Sequence, residues 1–298
     1  MKRFKILIIA VVLVGFVAGG LFTMRTSRGQ SQATKSELLF AQRATAGAPT
    51  ASSRGPAASR NAALRNELSW AFGSKTQRGW YLYVPLISRL INTHHEAHTD
   101  GFAKALEGWQ KKKRLAANGI LDSTTLYAMV SEWQGRRLKD KTPATPDQLL
   151  TAPKSDFYDP TRPDELRQVE RETYAAYKRM VAAAIADPSL RLSSARGELA
   201  PSERYLKIVS SFRSREYQDK LRRESPNAGS AGLAVNSPHF SGRALDVYVG
   251  GEPVDTNDRN RAIQVQTPVY QWLVRNAERF GFRPYYYEPW HWEYVGSK

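Results

Sequence analysis

Apolar residues open this chain as one unbroken stretch and then return at spacings that change along its length. From Ile6 to Met24 no residue is charged; Lys2, Arg3 and Lys5 stand before the stretch and Arg25 closes it. A membrane-spanning helix needs roughly 20 apolar residues, so a run of this length with a basic leading end predicts an export element over residues 1–24. An uncleaved anchor, basic end inside, is the preferred form over a cleaved signal peptide. Periodicity lapses over 25–66, which is rich in Ser, Thr, Ala, Gly and Arg and holds Pro49 and Pro56. That composition predicts a flexible spacer. Helical spacing returns in a unit over 67–138. There Phe102, Leu106 and Trp109 share one helical face, Asn118-Gly119 makes a turn, and Asp122 is placed to cap a helix carrying Leu126, Val130 and Trp133.

Residues 139–163 are polar and proline-bearing, the pattern of an interdomain linker. From Asp164 a second domain, 164–298, is expected to begin with a helix in which Leu166, Val169, Thr173, Tyr177, Met180 and Ala184 recur every three or four residues. Ile208 to Phe212 reads as a short buried strand, Ser214 to Arg223 as a helix, and Ala244 to Val249 as a strand. Thr267-Pro268 starts a further helix with Val269, Trp272, Leu273 and Phe280 on its buried face and Gly281 at its end. No repeating βαβ rhythm appears, so the expected class is α+β: a small antiparallel sheet flanked by helices, preceded by a small all-α module and the N-terminal membrane helix.

Composition then narrows the chemistry. The 298 residues carry a formal charge of +16, which favours polyanions and leaves nucleic acid, anionic lipid and an acidic wall polymer all compatible. Basic residues are dispersed, and the one dense run, Lys111 to Arg114, is short. No nucleic-acid partner is therefore expected. Cysteine is absent, which excludes disulfides, thiol catalysis and thiolate metal sites. Any metal must rest on nitrogen and oxygen donors, with five histidines to choose from, at positions 94, 95, 98, 239 and 291.

His94-His95-Glu96-Ala97-His98 is one residue short of the His-Glu-x-x-His helix of metalloproteases and reads as a polar connection. The other two histidines lie in richer company. Ser237-Pro-His-Phe-Ser-Gly-Arg-Ala-Leu-Asp246 sets His239 and Asp246 seven residues apart across a Ser-Gly turn that runs into a strand. Glu288-Pro-Trp-His-Trp292 adds His291 and a nearby carboxylate, and the alternation through Tyr294 suits a strand with His291 opposite both tryptophans. Glu293 is expected on the other face of that strand, which leaves Glu288 as the better placed base. A single histidine beside an aromatic ring is ordinarily a packing residue, but two histidines, an aspartate and a glutamate form a constellation. Three protein ligands leave zinc an open fourth position, the arrangement of catalytic zinc.

At these residues the chain resembles the zinc D-alanyl-D-alanine carboxypeptidase and dipeptidase family, often called VanY-like. Its signature is Ser-x-His-x-x-Gly-x-Ala-x-Asp followed by Glu-x-x-His, and every fixed position is met between roughly Leu166 and Tyr294. The resemblance implies one zinc ion per chain on His239, Asp246 and His291, Glu288 as general base, and Ser237 as an aid to holding substrate. Phe212-Arg213-Ser214 matches the family's aromatic-Arg-Ser segment, with Gln218 at the spacing of its glutamine. By this likeness Arg213 takes a catalytic and substrate-binding role, and a guanidinium fork suits a terminal carboxylate; Gln218 becomes a further substrate contact. Phe102 to Gln134 resembles the small three-helix peptidoglycan-binding domain, through Asn118-Gly119-Ile120-Leu121-Asp122-Ser123-Thr124-Thr125, which implies binding of glycan strands or stem peptides. The combined expectation is a membrane-tethered peptidase facing the periplasm or cell wall that trims peptidoglycan stem peptides, removing terminal D-Ala from D-Ala-D-Ala in the first place. An endopeptidase cutting a cross-link or an L,D bond, and a non-catalytic zinc-containing wall-binding protein, are the alternatives.

Overall fold

The computed structural model describes residues 55–73, 75–224 and 234–296. The anchor read at 1–24 and the spacer to residue 54 lie outside the described residues, among which no helix is long and apolar enough to cross a membrane. The spacer reading fails at its far end. Pro56–Glu67 forms helix α1, started by Pro at its first turn and burying Ala58, Asn61 and Leu64, one residue in every three. Only one of these is large and apolar, so the pattern is faint in the sequence.

The unit that follows is not all-α, as the sequence suggested. Ser69–Phe72 (β1) and Lys75–Arg78 (β2) pair antiparallel, and Trp70 alone of β1 is fully buried. Then come helices α2 (Val84–Ile91), α3 (Asp100–Lys112) and α4 (Ser123–Gly135). The Asn118–Asp122 turn between α3 and α4 is held by polar side chains. Gln110 accepts from Gly119 N and donates to Ile120 O, both at 2.9 Å, while Asn61 donates to Gly119 O and accepts from Leu121 N, both at 2.8 Å. Gly119 has φ of +69°, and a Cβ there would lie 2.7 Å from Ala103 O, so the turn requires glycine. Asp122 caps α4 by accepting from Thr125 N at 2.8 Å, as its position predicts.

The stretch read as a linker, 139–163, is built into the fold. Leu149–Thr151 (β3) pairs antiparallel with Gln168–Glu170 (β4), and Phe157 bridges to Ile208. Leu149, Ala152 and Phe157 are buried, and burial of these isolated apolar residues outweighs the polar composition around them. This pairing also corrects the helix expected from Asp164. Asp164–Leu166 is a single tight turn, β4 is extended, and helix α5 runs Arg171–Ile185 once Glu170 caps it by accepting from Glu172 N and Thr173 N.

After a short hairpin of β5 (Ser194–Ala195) and β6 (Glu198–Leu199) come β7 (Ile208–Ser210), α6 (Arg215–Glu224), β8 (Ala244–Val247), α7 (Asp258–Gln266), α8 (Pro268–Asn276), β9 (Phe282–Pro284) and β10 (His291–Tyr294). Helix α7 has no counterpart in the sequence reading, while α8 starts at Pro268 with Thr267 capping it and Gly281 in the left-handed region just beyond its final turn. The four-stranded sheet has the order β7-β8-β10-β9 and is antiparallel throughout. The α+β class is therefore borne out. One apolar core joins Trp80, Phe102 and Leu126 of the N-terminal region to Tyr177, Leu245 and Trp292 of the sheet region, and Ser53–Lys298 is a single compact unit.

Candidate metal centre

The pairing of β8 with β10 sets His291 directly opposite Asp246. Facing residues of an antiparallel pair project to the same side at short range, so sheet register alone brings two donors together. The third arrives from a tight turn, Pro238–Ser241. Ser237 caps it by accepting from His239 N at 3.3 Å, and Gly242 at φ of +67° redirects the chain into β8. His239, Asp246 and His291 are all buried, and their donor atoms lie within 4.8 Å of one another.

Each imidazole is fixed from behind. His239 Nδ1 donates to Ser211 O at 2.7 Å, which leaves Nε2 bare and 3.4 Å from Asp246 Oδ2. His291 has Nε2 against Glu293 Oε1 at 3.2 Å and Nδ1 against Asp246 Oδ1 at 2.8 Å. This donor set fits a zinc ion: two imidazole nitrogens and a carboxylate, all within 4.8 Å of one another, with the outer nitrogens held by acceptors. His94, His95 and His98 do not join any such group among the described residues.

Glu293 thus shares the face of His291, contrary to the expectation that it points away. Residues two apart on a strand lie on the same side, so this contact was readable from the sequence. The Glu293 carboxylate is fully buried and also takes Leu138 N at 2.9 Å and the guanidinium of Arg137, Nε at 3.1 Å. Arg137 stands just beyond α4, 156 residues away in sequence, and no sequence signal announces it.

Burial and pairing set the protonation states. Burial drives His239 down to about 4, with Arg213 pushing the same way, so it is a neutral ligand near pH 7. At His291 burial works in the same direction, but hydrogen bonds to Asp246 and Glu293 prevail and raise it to about 9. Burial also opposes the charges of Asp246 and Glu293. The neighbouring imidazoles nevertheless hold Asp246 well below the usual carboxylate range, and His291 with Arg137 brings Glu293 to about 2. Glu288 lies in the loop between β9 and β10, where its backbone carbonyl accepts from His291 N at 2.9 Å. Its side chain is almost wholly buried, and that burial lifts it to about 7 against the opposing pull of His291.

His239, Asp246, Glu288 and His291 line a cleft of about 430 Å³ whose walls hold four cationic side chains, Arg137, Lys141, Arg162 and Arg213, against two acidic ones, Asp246 and Glu288. Arg213 donates through Nε to Ser210 Oγ at 2.9 Å, through Nη1 to Gln218 Oε1 at 3.4 Å, and through Nη2 to Asp246 Oδ2 at 2.8 Å. Gln218 stands behind Arg213, with its amide nitrogen on Ala234 O at 3.1 Å. Ser237 is on the cleft wall, as are Arg162 and Lys141, which the sequence did not single out.

The profile of VanY, D-alanyl-D-alanine carboxypeptidase, matches residues 166–297. No curated protein matches the chain. Among solved structures, the LdcB LD-carboxypeptidase, described for its peptidoglycan recognition, is 23% identical with a TM-score of 0.37, over 53% of this chain and 72% of that one. The vancomycin-resistance D,D-pentapeptidase VanY in complex with Zn(II) is 22% identical with a TM-score of 0.28, over 43% of this chain and 74% of that one. Arg137, Lys141 and Arg162 precede the region that the profile matches.

Proposed function

Through residues 166–297 this chain belongs to the VanY family of D-alanyl-D-alanine carboxypeptidases, and on that premise we propose that it is a zinc carboxypeptidase acting on peptidoglycan stem peptides, with terminal D-Ala of D-Ala-D-Ala as its first substrate. The observation that carries this reading is the pairing of a buried His-Asp-His group with Glu288 on the wall of one cationic cleft. His239, Asp246 and His291 would hold a zinc ion, which when bound would supply a Lewis acid and lower the pKa of a water to about 7. Glu288, with its own pKa near 7, is matched to accept a proton from the attacking water and to return it to the nitrogen of the leaving residue.

Arg213 uses three of its five N–H groups on Ser210, Gln218 and Asp246. It orients the ligand carboxylate and keeps two N–H groups for a substrate carboxylate. Gln218 then serves as the brace of Arg213, and Ser237, whose oxygen accepts from His239 N, keeps its own proton for the peptide. Arg162 and Lys141 add positive potential suited to a peptide that ends in a free carboxylate. The export element read at 1–24 would deliver this activity beyond the cytoplasmic membrane, where the polymer lies.

Glu288→Gln tests the mechanism: it is expected to bind zinc like the wild type and to lose about 10²- to 10⁴-fold in turnover of D-Ala-D-Ala-ending peptides. Undiminished turnover removes Glu288 from the mechanism. Mass spectrometry of defined muropeptides identifies the bond. Loss of one alanine from pentapeptides supports the D,D-carboxypeptidase; loss from tetrapeptides indicates an L,D bond, and split dimers an endopeptidase.

A further inference from the structure

The helical unit ahead of the family region does not simply lie beside the sheet. Its last residues enter the cleft. Arg137 holds Glu293 through two guanidinium nitrogens, donates through Nη1 to Gln134 Oε1 at 3.0 Å, and lies 3.9 Å from the centre of the Tyr285 ring. Leu138 N completes the grip on the same carboxylate at 2.9 Å. Glu293 in turn meets His291 Nε2 at 3.2 Å, and His291 meets Asp246 at 2.8 Å. A continuous chain of hydrogen bonds therefore runs from the end of α4 to the candidate metal ligands.

The same unit receives the loop that carries Glu288. Tyr286 stacks on Trp133 with ring centres 5.8 Å apart and meets Phe72 at 5.1 Å, while Tyr287 lies 5.3 Å from Phe72. Without Arg137, Glu293 would be a fully buried carboxylate whose only other partners are a backbone N–H and His291. A carboxylate so placed is free to turn, and turning loosens the ring it orients.

We propose that Arg137 is a positioning residue of the metal centre, so that docking of the helical unit sets metal affinity through Arg137, Glu293 and His291. The inference rests on the reading of His239, Asp246 and His291 as metal ligands. It gives the unit a part in the metal site that any binding of wall polymer would not require.

The test uses the full chain with Arg137→Ala, Arg137→Lys and, as a control, Tyr83→Phe. The control removes another polar contact between the two regions, Arg261 Nη2 to Tyr83 OH at 2.8 Å, which includes neither a metal ligand nor Glu293. Zinc affinity is measured by competition with a chromophoric chelator, and thermal melting is followed on metal-free protein. Arg137→Ala is expected to weaken zinc binding about 10- to 100-fold. Arg137→Lys should recover part of that loss, because it keeps the charge without the fork. Tyr83→Phe should lower the melting temperature yet leave zinc affinity within about twofold of wild type. If Arg137→Ala fails to fold, Arg137→Lys decides, a loss of several-fold supporting the proposal and an unchanged affinity overturning it. Equal weakening in Tyr83→Phe, or unchanged affinity in Arg137→Ala, overturns it while leaving the ligand reading intact. Absence of zinc binding by the wild type overturns both.

Discussion

His291 shows how much of this site depends on the atoms behind the ligands. Its pKa of about 9 lies above the ordinary histidine value of 6.5, so across neutral pH the free site holds a proton that a metal ion must displace. Apparent zinc affinity should therefore fall progressively as the pH drops below about 9. Calorimetry in two buffers of different ionisation heat should detect close to one proton released at neutral pH. An affinity constant from pH 6 to pH 9 would contradict this account. The four residues first singled out, His239, Asp246, Glu288 and His291, all line one cleft. Glu293 was legible too, through the two-residue period of a strand, and was assigned to the wrong face.

Turns and registers do the positioning. Gly242 links the turn of His239 to the strand of Asp246 at φ of +67°, and a Cβ there would sit 3.0 Å from Glu170 N. Gly242→Ala is expected to cost about 1–2 kcal/mol in stability from the left-handed backbone alone and to weaken zinc binding by moving His239, as chelator competition and thermal melting would show. Asn61→Ala removes both clasps on the Gly119–Leu121 turn, leaving a buried N–H and C=O unpaired. Its expected cost is about 1–3 kcal/mol, read as a lower urea midpoint with an unchanged m-value. Caps such as Asp122 and Thr267 were readable because their partners lie within three residues. The β1–β2 hairpin and the true start of α5 were not, because extended and helical backbone compete there and partners elsewhere in the chain resolve the choice.

The regions on either side of residues 139–163 share one core and one buried ion pair, Arg137 with Glu293, so the polar stretch between them is not a hinge. A fragment beginning at residue 164 would expose Tyr286, Tyr287 and Trp292 and leave Glu293 without its cation. It is expected to lack a cooperative thermal transition and to bind a hydrophobic dye, whereas the chain from residue 53 should melt in one step. A fragment with dispersed amide resonances and a sharp melt would show that the sheet region folds alone.

Local sequence was enough for the α+β class, most helices of the described residues, the caps and the four residues of the His-Asp-His and Glu constellation, because periodicity and turn chemistry act over a few residues. The union of two regions into one unit, the capture of Arg213 by Asp246, and the reach of Arg137 to Glu293 were settled by folding. These contacts join residues 33 and 156 positions apart, and they exist only because burial in a shared core gives a charged group its partner.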